Sequence, residues 1–308
     1  MTEPGPSTGS GTSAYPALPQ PLAVGVYDNH THLEPPPASS ENEWWPSLDL
    51  HEHLERAASV GVLGAVQVGT DVATSRWTAE AAEREPRLLA AVALHPNEAP
   101  ALEASRTLDD ALAVIDELAA RPRVRAVGET GLDFYRTGEA GRGAQFRSFE
   151  AHIEIAKRHG VALQIHDRDA HDDVLETLRR VGAPDRTVFH CFSGDADLAR
   201  TVTDAGWYVS FAGNVTFKNA QNLRDALLVA PRDRILVETD APYLTPVPLR
   251  GRPNAPYLVP HTVRFMAHTL DIDLDEFCAQ VASNTLAVYG AWHDEPVSGA
   301  MGATGATG

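Results

Sequence analysis

Eight short, nearly unbroken apolar runs, separated by stretches with helical spacing, leave this chain few architectures to choose from. The runs are Val24–Asp28, Leu63–Val68, Leu88–Leu94, Val124–Glu129, Val161–His166, Arg186–His190, Trp207–Phe211 and Ile235–Thr239. Between them, Leu108, Leu112, Ile115 and Ala119 mark one helical stripe, and Phe146, Phe149, Ile153 and Ala156 mark another. Continuously apolar strands are buried on both faces, and amphipathic helices are what cover the outer face of a parallel sheet. Eight such units in one chain predict a TIM (β/α)8 barrel. A doubly wound open sheet is the competing architecture.

The ends of the runs carry the chemistry. His30 and His32 follow the first run, Glu129 ends the fourth, His166 the fifth and His190 the sixth, and Asp240 follows the eighth. A parallel barrel gathers the C-terminal ends of its strands at one face. An open sheet would string these positions along a line. In an extended chain His30 and His32 share a face, so both imidazoles reach one cation. Glu129 has two carboxylate oxygens and can bridge two cations. His166 and His190 complete the second site. Asp240 joins the first, close enough to a water to take its proton. His51-Glu52-His53 falls in a helical stretch, where residues i and i+2 splay apart, so it is not expected to chelate. His95-Pro96 ends the third run and is expected to face substrate. The other histidines read as surface or packing residues.

The formal net charge is −17, which supplies no basic footprint for long nucleic acids. Two cysteines, Cys191 and Cys278, are too few for a disulfide framework and point to a reducing cytoplasm. No run approaches the ~20 apolar residues of a membrane span. The first residues lack the basic and apolar regions of a signal peptide. Residues 1–21 and 293–308 are rich in Pro, Gly, Ser, Thr and Ala and are expected to be disordered tails around a single hydrolase domain over 22–292. Glu34–Leu48 holds three consecutive prolines and Trp44-Trp45, and a loop of that length beside a site is expected to be functional.

Five segments resemble, in order, the signatures of the TatD family of metal-dependent deoxyribonucleases. They are Asp28-Asn29-His30-Thr31-His32, Gly128-Glu129-Thr130-Gly131-Leu132-Asp133, Gln164-Ile165-His166-Asp167-Arg168, His190-Cys191-Phe192-Ser193-Gly194 and Glu238-Thr239-Asp240-Ala241-Pro242-Tyr243-Leu244. The resemblance spans residues 24 to 289. It implies a TIM barrel, two divalent cations, hydrolysis of DNA phosphodiesters, often from a 3′ end, and His30, His32, Glu129, His166, His190 and Asp240 as ligands. Two departures bear on substrate contacts. The family commonly has a second histidine where this chain has Asn97, and an Arg-Gly-Lys-Arg-Asn-Glu-Pro run where it has Arg250-Gly251-Arg252-Pro253-Asn254-Ala255-Pro256.

Phosphodiester hydrolysis needs a nucleophile, neutralisation of phosphoryl charge and in-line geometry, which a two-metal site provides. Arg168, two residues beyond His166, is the expected phosphate contact through paired hydrogen bonds. Arg136, Lys218 and Arg250 lie in loops after strands, where a solvated cation is the ordinary reading. Of these, Arg250 joins Arg168 and His95 as a candidate substrate contact. Asp240 and Glu129 are the candidate catalytic carboxylates, with Asp133 as the competing proton acceptor. Four imidazoles with two carboxylates favour Zn or Mn, whereas the family resemblance implies Mg. The expected substrate is a DNA end or short oligonucleotide, with no membrane and no obligate protein partner. Two other classes compete: an amidohydrolase-like enzyme cleaving a small ester, lactone or amide, which the acidic charge favours, and a barrel retained only for binding, against which the full ligand set argues.

Overall fold

The computed structural model describes residues 15–35 and 48–292. All eight expected runs form strands: β1 (Val26–Thr31), β2 (Val62–Gly69), β3 (Leu88–Val92), β4 (Val124–Asp133), β5 (Ala162–Arg168), β6 (Thr187–Phe189), β7 (Tyr208–Phe211) and β8 (Ile235–Val237). They lie parallel in the order β1 to β8. Just beyond β8 the chain returns to β1: Asp240 N donates to His30 O at 2.9 Å, and His32 N donates to Ala241 O at 2.7 Å. That seam makes the sheet a nearly closed TIM barrel and excludes the open sheet.

The helices are α1 (Leu50–Ser59), α2 (Val72–Arg84), α3 (Ala99–Ala104), α4 (Leu108–Ala119), α5 (Glu139–His159), α6 (His171–Val181), α7 (Ala196–Asp204), α8 (Gln221–Val229), α9 (Val259–Thr269) and α10 (Leu274–Tyr289). Aspartates set several starts. Asp49, Asp71, Asp195 and Asp273 each accept a backbone N–H from the first turn of α1, α2, α7 and α10, satisfying donors with no helical partner. His51 and His53 lie on α1, so the expectation that they do not chelate together stands, and His53 is buried against Tyr15.

Two apolar layers hold the barrel. The larger fills the space between strands and helices. The smaller lies inside the barrel and includes Val66, Val68, Leu89, Ala91, Ala126, Ala162, Val188 and Leu236, closed off by Val288, Tyr289 and Trp292 at the end of α10. Trp292 stacks on Tyr27 with ring centroids 4.3 Å apart. In β5 the inward positions are Ala162, Gln164 and His166, and around β8 they are Leu236, Glu238 and Asp240. An apolar floor therefore gives way to polar residues toward the C-terminal face.

Three expectations need correction. β1 runs on to Thr31, with shifts in its register against β2, so His30 lies within the strand. β4 runs on past the expected end at Glu129 to Asp133, with a register shift between Val127 and Thr130. The N-terminal segment read as a tail through residue 21 packs on the domain from Tyr15 onward: Tyr257 Oη donates to Pro16 O at 2.7 Å, and Arg264 Nη2 donates to Gln20 O at 2.7 Å. The remainder of both expected tails, and Trp44 and Trp45, lie outside the described residues. Among the described residues, no helix is long and apolar enough to cross a membrane.

Candidate metal centre

The six expected ligands converge at the C-terminal face of the barrel, and Glu129 stands between two groups of them. Its Oε1 lies 3.8 Å from His30 Nε2 and 3.5 Å from His32 Nε2. Its Oε2 lies 2.8 Å from His190 Nε2 and 3.0 Å from His166 Nδ1. Asp240 Oδ1 completes the first group, 3.9 Å from His30 Nε2 and 3.8 Å from His32 Nε2.

Local structure aims each of these groups. Glycine at 131 lets β4 pass close to β5, since a Cβ there would meet His166 O at 2.1 Å. Asp240 has φ +54°, a left-handed conformation unusual outside glycine. A clamp just before it holds that conformation. Asp28 Oδ1 accepts from Thr239 N at 2.8 Å, Asp28 Oδ2 accepts from Thr239 Oγ1 at 2.6 Å, and Asn254 Nδ2 donates to Thr239 O at 2.9 Å.

The outer ring nitrogens decide which atoms the imidazoles present. His30 Nδ1 meets Gln164 Oε1 at 3.0 Å, and His32 Nδ1 meets Val68 O at 3.0 Å. Both acceptors require the proton on Nδ1, which leaves both Nε2 lone pairs facing inward. Those two Nε2 atoms are 3.2 Å apart. Two such lone pairs at that distance, beside two carboxylates, need a positive charge between them, a proton on His32 in the metal-free protein or a cation in its place, so the donor set fits a cation. On the other side, His190 Nδ1 lies 3.4 Å from Glu238 Oε1 and His166 Nε2 lies 3.4 Å from Asp133 Oδ2. Neither contact meets hydrogen-bond geometry, and both nitrogens remain buried without a partner. We read these pairs as electrostatic.

His95 is also at the centre, with Nε2 3.8 Å from Glu129 Oε2. Its Nδ1 accepts from Asn97 N at 3.1 Å, which puts the proton of the neutral ring on Nε2. His95 therefore presents a hydrogen-bond donor rather than a ligand lone pair. His30, His190 and Glu238 form a further cluster of donor atoms. The rings of His30 and His190 are stacked at 3.9 Å and 12°, so their in-plane lone pairs cannot converge on one ion.

Electrostatics follow from burial and the shared carboxylate. Burial alone would raise the Glu129 carboxyl, but the imidazoles around it, His190 and His95 foremost, hold it well below the usual carboxylate range. Burial opposes protonation of His32, yet its contact with Glu129 outweighs this and holds the ring at about 9. Burial raises the Asp240 carboxyl to about 7 against the opposing pull of His190 and His32. It lowers His95 to about 4.

Without metal, His32 keeps a proton up to about pH 9, and a metal ion must displace it. We therefore expect metal affinity to rise with pH through the range below 9, by about tenfold per unit for each proton released. Calorimetry in buffers of different ionisation enthalpy counts those protons. Binding at pH 7.5 with no proton release would contradict the assignment.

Of the expected substrate contacts, Arg168 lies over the Tyr135 ring with its guanidinium carbon 3.9 Å from the centroid. Among the described residues its guanidinium has no hydrogen-bonding partner. Arg250 is exposed and lies over Phe217, 4.1 Å from the ring centroid. Asp133 is already engaged, accepting from Arg136 N at 2.8 Å through Oδ1 and from Asn97 Nδ2 at 3.0 Å through Oδ2.

Sequence reasoning missed Gln164 and Glu238. Each stands two residues before a candidate ligand on the same inward strand face, and that alternation was the available signal.

Residues 27–290 match the family described as TatD related DNase. The chain is 45% identical over 269 residues to the uncharacterized metal-dependent hydrolase TatD of Mycobacterium tuberculosis, covering 86% of this chain and 98% of that protein. It is 34% identical over 265 residues to the uncharacterized metal-dependent hydrolase YabD of Bacillus subtilis, with 86% and 98% covered. The crystal structure of YjjV, a TatD homologue from Escherichia coli, superposes with a TM-score of 0.75 at 26% identity, over 86% of this chain and 98% of that one. Barrel, donor set and relatives agree: the chain belongs to the TatD family and is a metal-dependent hydrolase.

Proposed function

We propose that this hydrolase cleaves phosphodiester bonds at the ends of single-stranded DNA, using two divalent cations bridged by Glu129. The observation that carries this reading is the division of Glu129, with one oxygen toward His30 and His32 and the other toward His166 and His190. His30, His32, Glu129 and Asp240 would hold one cation, and Glu129, His166 and His190 the other. The donor set suits Zn or Mn, and the family resemblance suits Mg. When bound, the cations would acidify a water and neutralise charge on the phosphoryl oxygens.

The chain's own side chains supply the rest. Asp240, whose carboxylate is free of the bridging role, accepts the water's proton. Arg168 binds a phosphate with its uncommitted guanidinium, His95 donates from Nε2 to a phosphoryl oxygen, and Arg250 contacts the strand further out. The exposed rings of Tyr135 and Tyr243 offer stacking faces for unpaired bases. The free cysteines fit a cytoplasmic setting for one catalytic domain over residues 15–292.

The test is purified protein with Mg, Mn or Zn against 3′- and 5′-labelled single strands, with a lactone and a dihydropyrimidine as controls. Release of nucleotides from one labelled end supports the reading. Turnover of a control with no cleavage of DNA would instead support a small-molecule hydrolase, the reading that the net charge of −17 favours. An acidic protein that holds DNA only at this site makes few phosphate contacts. The log–log slope of binding against salt should then be shallow, about −0.7 to −2 for one to three phosphates on a single strand. Arg168→Ala should flatten it further. A slope matching eight or more phosphates would contradict a short local site.

A further inference from the structure

We infer that Gln164 and Tyr289 are positioning residues that fix the ring of His30 in the tautomer able to bind a cation, which ties the barrel floor to the metal centre. This rests on the reading of His30 as a metal ligand and extends it to residues outside the ligand set.

The orientation of the Gln164 side-chain amide is over-determined. Gln164 is fully buried inside the barrel. Its Nε2 donates to Asn29 O at 3.0 Å and to Tyr289 Oη at 2.8 Å, while its Oε1 faces His30 Nδ1 at 3.0 Å. A carbonyl can only accept, so Asn29 O requires the NH2 group on its side and leaves Oε1 for the imidazole. That oxygen in turn requires the proton on His30 Nδ1, leaving Nε2 unprotonated toward Glu129 and Asp240. With the amide turned over, two oxygens would face each other at Asn29. The NH2 group would then meet His30 Nδ1 and drive the proton to Nε2, where it blocks a metal ion.

Two features seat this relay. Gly128, on the neighbouring strand β4, leaves the space for it, since a Cβ there would meet Gln164 Cβ at 2.4 Å. Tyr289, 1% exposed, ends α10 among the residues that close the barrel floor. Its hydroxyl takes the second N–H of Gln164, which would otherwise be buried unpaired. His32 is fixed by a main-chain oxygen, Val68 O, that no substitution removes. His30 alone in this pair depends on side chains, so its geometry can be tested by mutation.

The experiment uses the full-length chain and reads the metal-free and Co(II)-titrated protein. Two-bond 1H–15N correlations of the histidine rings report the His30 tautomer without metal, and the visible absorption of Co(II) reports affinity. Wild type should show the proton on Nδ1. Gln164→Met, similar in length but without the amide, should lose that preference and weaken Co(II) binding by about 10- to 100-fold. Gln164→Glu, which still offers an oxygen to His30 and, protonated in this fully buried place, donates its hydroxyl to Asn29 O, should restore the tautomer. Tyr289→Phe, which keeps the floor packed, should weaken Co(II) binding by about tenfold at most. A wild-type tautomer and wild-type affinity in both Gln164→Met and Tyr289→Phe would overturn the proposal. Equal losses in Gln164→Met and Gln164→Glu would overturn it too, by reducing Gln164 to packing. If His30→Ala binds Co(II) as tightly as wild type, the ligand reading itself fails, and the positioning role with it.

Discussion

Glu129→Gln should bind at most one metal ion per chain and lose turnover by about three decades or more. A carboxylate offers equivalent oxygens in two directions, and both are in use: His190 Nε2 lies 2.8 Å from one and His32 Nε2 3.5 Å from the other. The amide keeps the volume but has a single acceptor, and its NH2 group must face one of the imidazole groups where an anion stood. A metal acting on phosphoryl charge contributes several kcal/mol to the transition state, which at about 1.4 kcal/mol per decade gives the expected loss. Elemental analysis after saturation and dialysis, together with single-turnover rates, checks it. Two equivalents retained with near-normal turnover would show that Glu129 is no bridge.

The second large effect separates two aspartates. Asp240→Asn should cut turnover by about a hundredfold or more, the scale of losing a general base, while His166 and His190 still hold their cation. Asp133→Asn should do much less to the proton-transfer step. Asp133 already receives Arg136 N and the Asn97 amide and lies 3.4 Å from His166, so its expected defect is weaker metal binding. Turnover measured at saturating metal distinguishes the two. A near-normal Asp240→Asn beside an inactive Asp133→Asn would exchange their roles.

The barrel was legible because its strands are apolar runs, as burial on both faces dictates, and most of them end in a polar, chemically capable residue. The ends of β1 and β4 were less so. Thr130-Gly131 breaks the apolar run read to Glu129, yet glycine there lets β4 continue in contact with β5, where a side chain at 131 would strike the backbone of His166. The packing of Tyr15–Pro21 on the domain was illegible for another reason. It relies on main-chain oxygens accepting from Tyr257 and Arg264, and no local composition announces a main-chain acceptor. Gln164 was passed over because a lone polar residue in an apolar run carries no chemical signature. Its meaning appears only when β1, β5 and α10 are placed side by side.

The seam of the barrel also sets when during synthesis the hydrolase can first exist. Asp28 and Thr239, which clasp across it, are 211 positions apart, and His30, His32 and Asp240 meet only where that clasp forms. A chain emerging from the ribosome displays its two leading histidines early, but nothing completes their site until the final strand is released and docks against the first. Every intermediate length thus lacks a complete centre. Ribosome-bound chains stalled with residue 240 still in the exit tunnel should lack the cation site that His30, His32 and Asp240 share, and full affinity should arrive only once the last strand and α10, whose Tyr289 seats Gln164, are both free.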